Sequence, residues 1–217
     1  MRSHGNVDSA LALGVELDRA LDHGEDRVIS ANADACAGVP LGAALPYQDR
    51  TAGYQLSAEP LHTELLDRAW NEKRGAFTAA FGSDDLDASV LLLPDLGVVE
   101  AEDPRFKSTV VALERDLLRE THVMRYAGAD DFGLPVTAFL ICRFWLVDAW
   151  WSLGRREDAR DLFVDALKHR NRYGLLSEDI DPKTGQMWGN FPQTYSMAGL
   201  ILTAMRLSRS WEERYWR

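Results

Sequence analysis

The chain has 217 residues, of which 46% are hydrophobic and 27% are charged, and its formal net charge is −10. This size and composition suit one large domain or a compact part of a larger one. Surfaces that bind nucleic acid are normally basic, so the acidic charge argues against nucleic acid as a partner.

The cysteines and the apolar runs indicate the cellular compartment of the protein. Cys36 and Cys142 are the only cysteines and form no C-x-x-C motif, which excludes a disulfide framework and a cysteine zinc site. The first residues lack the long apolar core and the cleavage site of a secretory signal. The run AFLICRFWLVDAWW is interrupted by Arg143 and Asp148, so it is too short for a membrane span. We therefore predict a cytoplasmic protein with no membrane partner.

Residues 1–59 divide into a helical and an irregular part. Residues 9–22 repeat apolar positions at helical spacing, which predicts a helix. Residues 31–58 are rich in alanine and glycine, contain two prolines and show no clean period, so we predict a loop. We treat 1–59 as an N-terminal segment, partly loop, that is distinct from a helical portion in 60–217.

From residue 60 the hydrophobic pattern becomes regularly helical. The predicted helices span residues 60–71, 86–97, 103–120, 135–154, 155–170 and 192–208. The helix over 135–154 is apolar on nearly all sides, which predicts an inner helix. No run alternates with period two over strand length, so we predict an all-α class with about seven helices, counting 9–22. Residues 150–163 resemble one tetratricopeptide helix pair, but no copy lies about 34 residues away, which argues against a repeat scaffold.

The sequence DPKTG, residues 181–185, predicts a tight turn. Asp181 can accept hydrogen bonds from the backbone amides ahead of it, Pro182 presets φ at the second position, and Gly185 accepts a left-handed conformation. Short extended arms on either side would then run antiparallel and bring Glu178 opposite residues 188–191. Pro192 would open the last helix.

A carboxylate beside aromatic rings at the start of a helix is typical of a sugar site. Trp188 and Tyr195 offer ring faces for stacking, and Glu178 offers an acid or base that can move a proton. A solvated acidic turn that caps a helix is the alternative, and the spacing alone leaves both interpretations open.

Two further acidic loops lead into predicted helices. The first holds Asp84, Asp85 and Asp87, where carboxylates favour a helix N-terminus through capping and the macrodipole. This structural explanation needs no function.

The second of these loops holds Arg125, Tyr126, Asp130 and Asp131. Arginine and aspartate together can bind sugar hydroxyls, although a surface ion pair explains the same residues. Three acidic loops that each lead into a helix predict one rim at one end of a helical barrel. The sequence holds no H-E-x-x-H, G-x-S-x-G, phosphate-loop or G-x-G-x-x-G motif, so we predict neither a metal nor a cofactor.

Three stretches of sequence carry a resemblance to one known family: WNEKRGAFTAAFGSDDLDASVLLLP, RYAGADDFGLPVTAFLICRFWLVDAWWSLGRREDARDLF and LLSEDIDPKTGQMWGNFPQTYSMAGLI. They closely resemble glycoside hydrolase family 15, the glucoamylase-like enzymes, in its bacterial branch, and the likeness covers residues 60–208 almost continuously. The resemblance implies an (α/α)6 barrel of twelve helices, of which this chain would form an incomplete part. It also implies inverting cleavage of α-glucosidic bonds, of trehalose in some members, with an α-glucoside or oligosaccharide as the partner.

The resemblance implies a role for each matching residue. The general base of the family, the glutamate of an S-E motif, falls on Glu178. The sugar-binding arginine of an R-Y motif falls on Arg125, and the aspartate a few residues later falls on Asp130 or Asp131. The aromatic residue near the start of the last helix falls on Tyr195.

The resemblance is weaker on the N-terminal side. Residues 6–21 faintly resemble a family helix, but Ala10 and Gly14 stand where the family has lysine and tryptophan. The family's general acid lies in a W-E motif before that helix, and we expect this chain to lack it. Two interpretations follow: a truncated glycosidase that is weak or inactive alone, or a non-catalytic helical module that binds a sugar or a partner. The inner helix over 135–154 needs neighbours that half a barrel would not supply, which predicts a large exposed apolar surface and self-association.

Overall fold

The computed structural model describes residues 60–131 and 133–208. The chain divides into two compact units, Met1–Ala112 and Leu113–Arg217. The helix predicted over 9–22 and the loop predicted over 31–58 lie outside the described residues. A domain boundary at residue 59 therefore stays a prediction.

The described part of the first unit contains two α-helices, a hairpin and a 3-10 helix. Helix α1 covers residues 60–69, and the hairpin pairs β1 (Trp70–Asn71) with β2 (Ala76–Phe77) in antiparallel register. The 3-10 helix covers Ala88–Leu92, and helix α2 (Pro104–Leu117) begins in this unit. The buried side chains of the unit include Phe77, Val90 and Phe106.

The carboxylates that precede the 3-10 helix stabilise the local fold. Asp87 is fully buried, and its Oδ1 accepts a hydrogen bond from the backbone N of Ser89 at 2.8 Å, which confirms the predicted capping role. Asp84 forms an ion pair with Lys73 and accepts from Nδ2 of Asn71 at 2.9 Å. Hydrogen bonds from these two side chains hold the pKa of Asp84 below its ordinary value.

Three helices form most of the second unit: α3 (Leu140–Ser152), α4 (Arg156–Leu167) and α5 (Thr194–Leu207). Helix α3 packs against both α4 and α5. Its buried side chains occupy almost every position, because the segment offers apolar groups on all sides. This burial confirms the predicted inner helix.

Five two-residue strands precede α3 or lie between α4 and α5: β3 (Leu118–Arg119), β4 (His122–Val123) and β5 (Ala138–Phe139) come before α3, and β6 (Asp179–Ile180) and β7 (Met187–Trp188) come after α4. Strands β3 and β4 form one antiparallel hairpin. The other three form an antiparallel sheet in the order β5-β6-β7. Because β5 runs directly into α3, this sheet lies at the N-terminal end of the inner helix.

The two charged residues of α3 connect it to its neighbours. Arg143 is 1% exposed and pairs with Asp165 of α4. Asp148 accepts a hydrogen bond from the hydroxyl of Thr203 on α5 at 3.2 Å. The residues that interrupt the apolar run are thus cross-links between packed helices.

Helices α4 and α5 contact α3 through different kinds of surface. Helix α4 buries apolar residues at helical spacing, namely Ala159, Leu162 and Ala166, whereas α5 buries the small residues Ser196, Gly199 and Thr203. A Cβ at Gly199 would lie 2.3 Å from Cδ1 of Ile141. Glycine at this position therefore permits the close approach of α5 to the inner helix.

The described residues contain five α-helices and one 3-10 helix where six α-helices were predicted, so the count of about seven, which includes 9–22, is slightly off. The predicted helix that Pro94 and Gly97 were expected to stop is a five-residue 3-10 helix, which Asp87 caps and Pro94 follows. Residues 138–139 pair with β6 instead of extending α3. The predicted all-α class is confirmed, because helices form most of the regular structure in the described residues.

Candidate active site

The predicted turn at residues 181–185 is present and joins β6 to β7. Oδ1 of Asp181 accepts from the backbone N of Lys183 at 2.8 Å, and its backbone O accepts from the N of Gly185 at 2.9 Å. Gly185 has a φ of 71°, the left-handed conformation that glycine tolerates. Asp179 pairs with Trp188 across the two strands. The turn residues therefore fix the register of the hairpin.

The backbone of Glu178 is held from both sides. Its N–H donates to the backbone O of Asn190 at 2.9 Å, and its own O accepts from the backbone N of Leu140 at 3.0 Å. Leu140 is the first residue of α3. Glu178 thus lies at the N-terminus of the inner helix. Its backbone is bonded to Leu140, which follows β5, and to Asn190, which lies two residues after β7.

The Glu178 side chain is half-buried and is held through one oxygen. Oε2 accepts from the backbone N of Asn190 at 3.0 Å and from Nδ2 of the same residue at 2.8 Å. A carboxylate oxygen held by amide donors keeps the second oxygen available for a further hydrogen bond. Such a group can accept a proton from a bound water.

Asp179 is a second carboxylate at the same sheet. Its Oδ2 accepts from the hydroxyl of Thr137 at 2.9 Å. Burial raises the pKa of Asp179, the Thr137 hydrogen bond opposes this, and the charge of Glu178 raises the pKa further. The spacing of residues could not predict this hydrogen bond, because Thr137 and Asp179 are 42 positions apart.

Tyr195 lies in the first turn of α5, as predicted. Its ring contacts the rings of Phe139 and Trp145 edge-on, at centroid distances of 6.0 and 6.1 Å. Burial raises the pKa of the Tyr195 hydroxyl, and the nearby charge of Arg125 lowers it. These contacts place Tyr195 near the start of α3, where Glu178 is also attached.

Trp188 is about half exposed on β7. Residues that pair directly across antiparallel strands share one face of the sheet, so Trp188 lies on the face of Asp179. Its ring is accessible on that face.

The loop that carries Arg125 closes on itself through backbone hydrogen bonds. Asp130 and Gly133 exchange two such bonds, of 3.0 and 3.1 Å. The Asp130 carboxylate accepts from the hydroxyl of Tyr126, whereas Asp131 is exposed. Of the two aspartates considered for the sugar-binding role, Asp130 is thus internally bonded and Asp131 faces solvent.

Asn190 was not predicted from the sequence as the hydrogen-bond donor to Glu178. The hairpin prediction already placed residues 188–191 opposite Glu178, and Asn190 carries the amide of that stretch. A side chain with two donors beside a candidate base was the available signal. Asn190 could be identified as the donor only from the hydrogen bonds between the two arms of the hairpin.

A second group of ionisable residues in this unit comprises Arg143 and His122, which are buried, and Asp165 and His169, which are partly buried; we call it the Arg143 cluster. Nη2 of Arg143 donates to the Asp165 carboxylate and to the backbone O of Leu162 at 3.2 Å. Within the described residues, Nε and Nη1 have no hydrogen-bond partner. Burial lowers the pKa of Arg143, and Asp165 opposes this effect.

The histidines of the Arg143 cluster contact each other, with ring centroids 5.0 Å apart. Burial and then the charge of Arg143 lower the pKa of His122 to about 4, and the same two causes lower the pKa of His169. Burial raises the pKa of Asp165, but hydrogen bonds from Lys168 and Arg143 outweigh it and hold the pKa below its ordinary value.

Within residues 60–131 and 133–208, no group of three or more His, Cys, Asp or Glu side chains is arranged to hold a metal ion. Across this described part of the chain, no helix is both long and apolar enough to cross a membrane. Cys142 is buried in α3.

The sequence is similar to several trehalases. It is 36% identical over 159 residues to the trehalase of Mycolicibacterium smegmatis, covering 72% of this chain and 24% of that protein. It is 31% identical over 153 residues to the trehalase of Thermoplasma volcanium, covering 70% of this chain and 25% of that protein. The chain thus spans about a quarter of the length of these curated relatives.

Solved structures show the same fold at low sequence identity. A wild-type glycosidase superposes with a TM-score of 0.64 at 18% identity, covering 83% of this chain and 48% of that chain. A variant glycosidase in complex with glucose gives a TM-score of 0.66 at the same identity and coverage. These likenesses confirm the predicted fold class, an incomplete (α/α)6 barrel. The model of glycosyl hydrolases family 15 matches residues 10–156 and 152–205, and the chain therefore belongs to this family.

Proposed function

We propose that this chain forms the C-terminal part of a glycosidase domain that hydrolyses α-glucosidic bonds with inversion, and that Glu178 is its general base. The Glu178 carboxylate carries the proposal. It is half-buried at the N-terminus of the inner helix, and Asn190 holds it through one oxygen. The second oxygen can then accept a hydrogen bond from the water that attacks the sugar.

In the proposed reaction, water attacks the anomeric carbon while Glu178 accepts its proton. The bond from C1 to the glycosidic oxygen breaks, and the leaving oxygen takes a proton from a second carboxylic acid. Inverting sites place the two carboxyl groups about 6.5–9.5 Å apart with the water between them. We propose that a segment outside this sequence supplies the acid, so the chain alone would be weak or inactive on ordinary glucosides.

Five side chains are proposed to bind the sugar around Glu178. The charge of Arg125 acts on the Tyr195 hydroxyl, which supports a common site for these two residues near the start of α3. Asp131 is exposed and Trp188 is half exposed, so both are accessible to a ligand. Asp130 is proposed to order the loop through Tyr126 and to contact the sugar.

The relatives favour an α-glucoside as the substrate class. Two similar proteins are trehalases, and one structure with the same fold contains glucose. Trehalose joins two glucose units through an α-bond, so a trehalase-like or glucoamylase-like specificity fits the proposed mechanism.

α-Glucosyl fluoride tests the base without the acid, because fluoride leaves with much less need of a proton. We expect the purified chain to hydrolyse this substrate slowly and to leave maltose and trehalose unchanged within detection. Robust trehalose hydrolysis would show that a residue of this chain supplies the acid. Equal fluoride release by Glu178→Gln would show that Glu178 is not the base.

The second candidate function is a non-catalytic module that binds a sugar. The accessible rings of Trp188, Phe191 and Tyr195 favour it, since such rings stack on sugars without any chemistry. A chain that binds glucose or trehalose in calorimetry, and releases no fluoride from glucosyl fluoride, would support this alternative.

Self-association is also proposed, from the exposed side of α5. The apolar side chains of Ile201, Leu202 and Met205 are more than half exposed there. Sedimentation velocity should show a larger species at higher protein concentration. A single monomeric species at all concentrations would contradict this proposal.

A further inference from the structure

The end of the hairpin brings Glu178 close to Gly189 and Asn190. Asp179 and Trp188 form the last pair of the ladder, and residues 178 and 189 follow directly after it. The backbone N of Glu178 donates to the O of Asn190 at 2.9 Å, one residue further along. The side chain of Glu178 therefore leaves the strand over the backbone of residues 189 and 190.

Gly189 provides the space that this side chain occupies. A Cβ at residue 189 would lie 2.9 Å from Oε2 and 3.0 Å from Cβ of Glu178. Its φ of 75° is also in the left-handed region, where residues with a Cβ are strained. Any larger residue would push the carboxylate away from its present position.

Asn190 then fixes the rotation of the carboxylate. The terminal torsion of a glutamate is broad, so a free carboxylate exchanges its two oxygens easily. Two donors of Asn190, the backbone N at 3.0 Å and Nδ2 at 2.8 Å, converge on the same oxygen, Oε2. Hydrogen bonds to an ionised acceptor are stronger than neutral ones. The pair therefore favours one orientation in which Oε1 is directed away from Asn190.

We propose that Gly189 and Asn190 form a clamp that positions the Glu178 carboxylate and presents Oε1 as the oxygen that takes the proton of the attacking water. The inference rests on the proposed role of Glu178 as general base. Asn190 acts through Glu178, so it is a positioning residue. A base held at a fixed angle to its water contributes to rate through orientation, and small displacements of such groups are costly.

Nuclear magnetic resonance tests the clamp without any turnover. In the ¹⁵N-labelled full chain, the backbone and side-chain amide proton signals of Asn190 are expected to shift when the carboxylates are titrated. In Glu178→Gln these shifts should largely disappear, because the acceptor no longer changes charge. The side-chain amide of Gln186, an exposed residue of the same hairpin, provides the reference signal. Equal shifts of the Asn190 signals in both proteins would overturn the clamp.

Kinetics on α-glucosyl fluoride tests the consequence for the reaction. Asn190→Ala keeps the backbone donor and loses Nδ2, so kcat is expected to fall about tenfold while KM changes less than about twofold. In a Glu178→Gln background the same substitution should cause no further loss, because the two residues act as one unit. Gln186→Ala is the matched control and should leave kcat unchanged.

The outcomes separate the clamp from the proposed function. An unchanged kcat in Asn190→Ala, together with loss of turnover in Glu178→Gln, would leave the base in place and overturn the clamp. Turnover that persists in Glu178→Gln would overturn the proposed base, and the titration of the Asn190 signals would still decide whether the clamp exists. Gly189→Ala provides a second variant, which should reproduce the loss of kcat if it retains the circular dichroism spectrum of the parent chain.

Discussion

The Glu178 site and the Arg143 cluster are both attached to the first turn of α3, yet they hold charge in opposite ways. Glu178 is half-buried and accepts hydrogen bonds from the neutral amide groups of Asn190. Arg143 is 1% exposed and is paired with the carboxylate of Asp165. One group is open to a ligand, and the other is enclosed by protein.

This difference indicates which charges serve the fold and which can serve chemistry. A buried charge must be compensated by an opposite charge, so removing its partner destabilises the protein. A carboxylate held by neutral donors near the surface needs no buried partner charge, and its loss removes little packing. Substitutions at Glu178 should therefore change activity alone, and substitutions in the Arg143 cluster should change stability first.

The largest effect is expected for Glu178→Gln. Loss of a general base typically lowers the rate about 10²- to 10⁴-fold, and fluoride release from α-glucosyl fluoride should fall by this factor. The free energy of unfolding, measured with urea, should change by less than about 0.5 kcal/mol, because the amide keeps the shape of the side chain.

Glu157→Gln is the matched control for this substitution. Glu157 is highly exposed in the first turn of α4 and pairs with Arg160. Its variant should keep both the rate and the stability of the parent chain. If Glu178→Gln lowered the free energy of unfolding by as much as it raised the activation free energy, Glu178 would serve the fold as the Arg143 cluster does. The difference between the two sites would then not hold.

The next effect is a loss of stability in Asp165→Ala. This substitution leaves Arg143 buried without its carboxylate, which costs roughly 3–5 kcal/mol of unfolding free energy. The double variant Arg143→Met/Asp165→Ala should recover most of that loss, because no unpaired charge then remains. Urea unfolding followed by circular dichroism measures both. Asp161→Ala, at an exposed position of the same helix, is the control and should change the free energy by less than about 0.5 kcal/mol.

The sequence predicted the features that depend on neighbouring residues. The turn at 181–185 followed from Asp181, Pro182 and Gly185, and the inner position of α3 followed from its apolar composition. The capping role of Asp87 followed from its place before an apolar segment. In each case the interaction spans only a few residues, so local chemistry determines it.

The features that the sequence did not predict depend on distant residues. Arg143 was interpreted as an interruption of an apolar run, but its partner Asp165 lies 22 positions away on the next helix. Asp179 meets Thr137 across 42 positions. Such pairs require the helix packing and the strand register, which the spacing of residues within one segment does not encode.

A third prediction concerns the pH dependence of stability. The pKa of His122 is about 4 in the folded chain, whereas an unfolded histidine has a pKa of about 6.5. Above the unfolded value neither state binds the proton, so the stabilisation is fully present. As the pH falls towards 4, the unfolded state binds a proton that the folded state rejects, and the free energy of unfolding should fall by about 2–3 kcal/mol.

His122→Gln isolates this contribution. Arg143, His169, Asp165 and Asp181 act on the His122 ring, and all of them remain in the variant. Urea unfolding at about pH 7 and about pH 4.5 should show a smaller loss of stability for the variant than for the parent. The lowered pKa of His169 acts with the same sign, so His169→Gln should reduce the loss further. Identical pH dependence in parent and His122→Gln would contradict the prediction.

The smallest effect is expected for Tyr195→Phe, which tests a residue that belongs to both packing and site. The ring that contacts Phe139 and Trp145 is retained, so the free energy of unfolding should change by less than about 0.5 kcal/mol. The hydroxyl is lost, and with it one proposed hydrogen bond to the sugar. Such a bond contributes about 0.5–1.5 kcal/mol, so KM for α-glucosyl fluoride should rise about two- to tenfold.

Tyr173→Phe is the control, because Tyr173 is exposed in the loop after α4 and bonds to Arg172. It should change neither KM nor stability. If Tyr195→Phe also leaves KM unchanged, the hydroxyl does not reach the sugar and Tyr195 serves only to pack α5 on α3. Tyr195 would then belong with the residues that maintain the fold, and the site around Glu178 would rely on Arg125 and Asp131 for its contacts to the sugar.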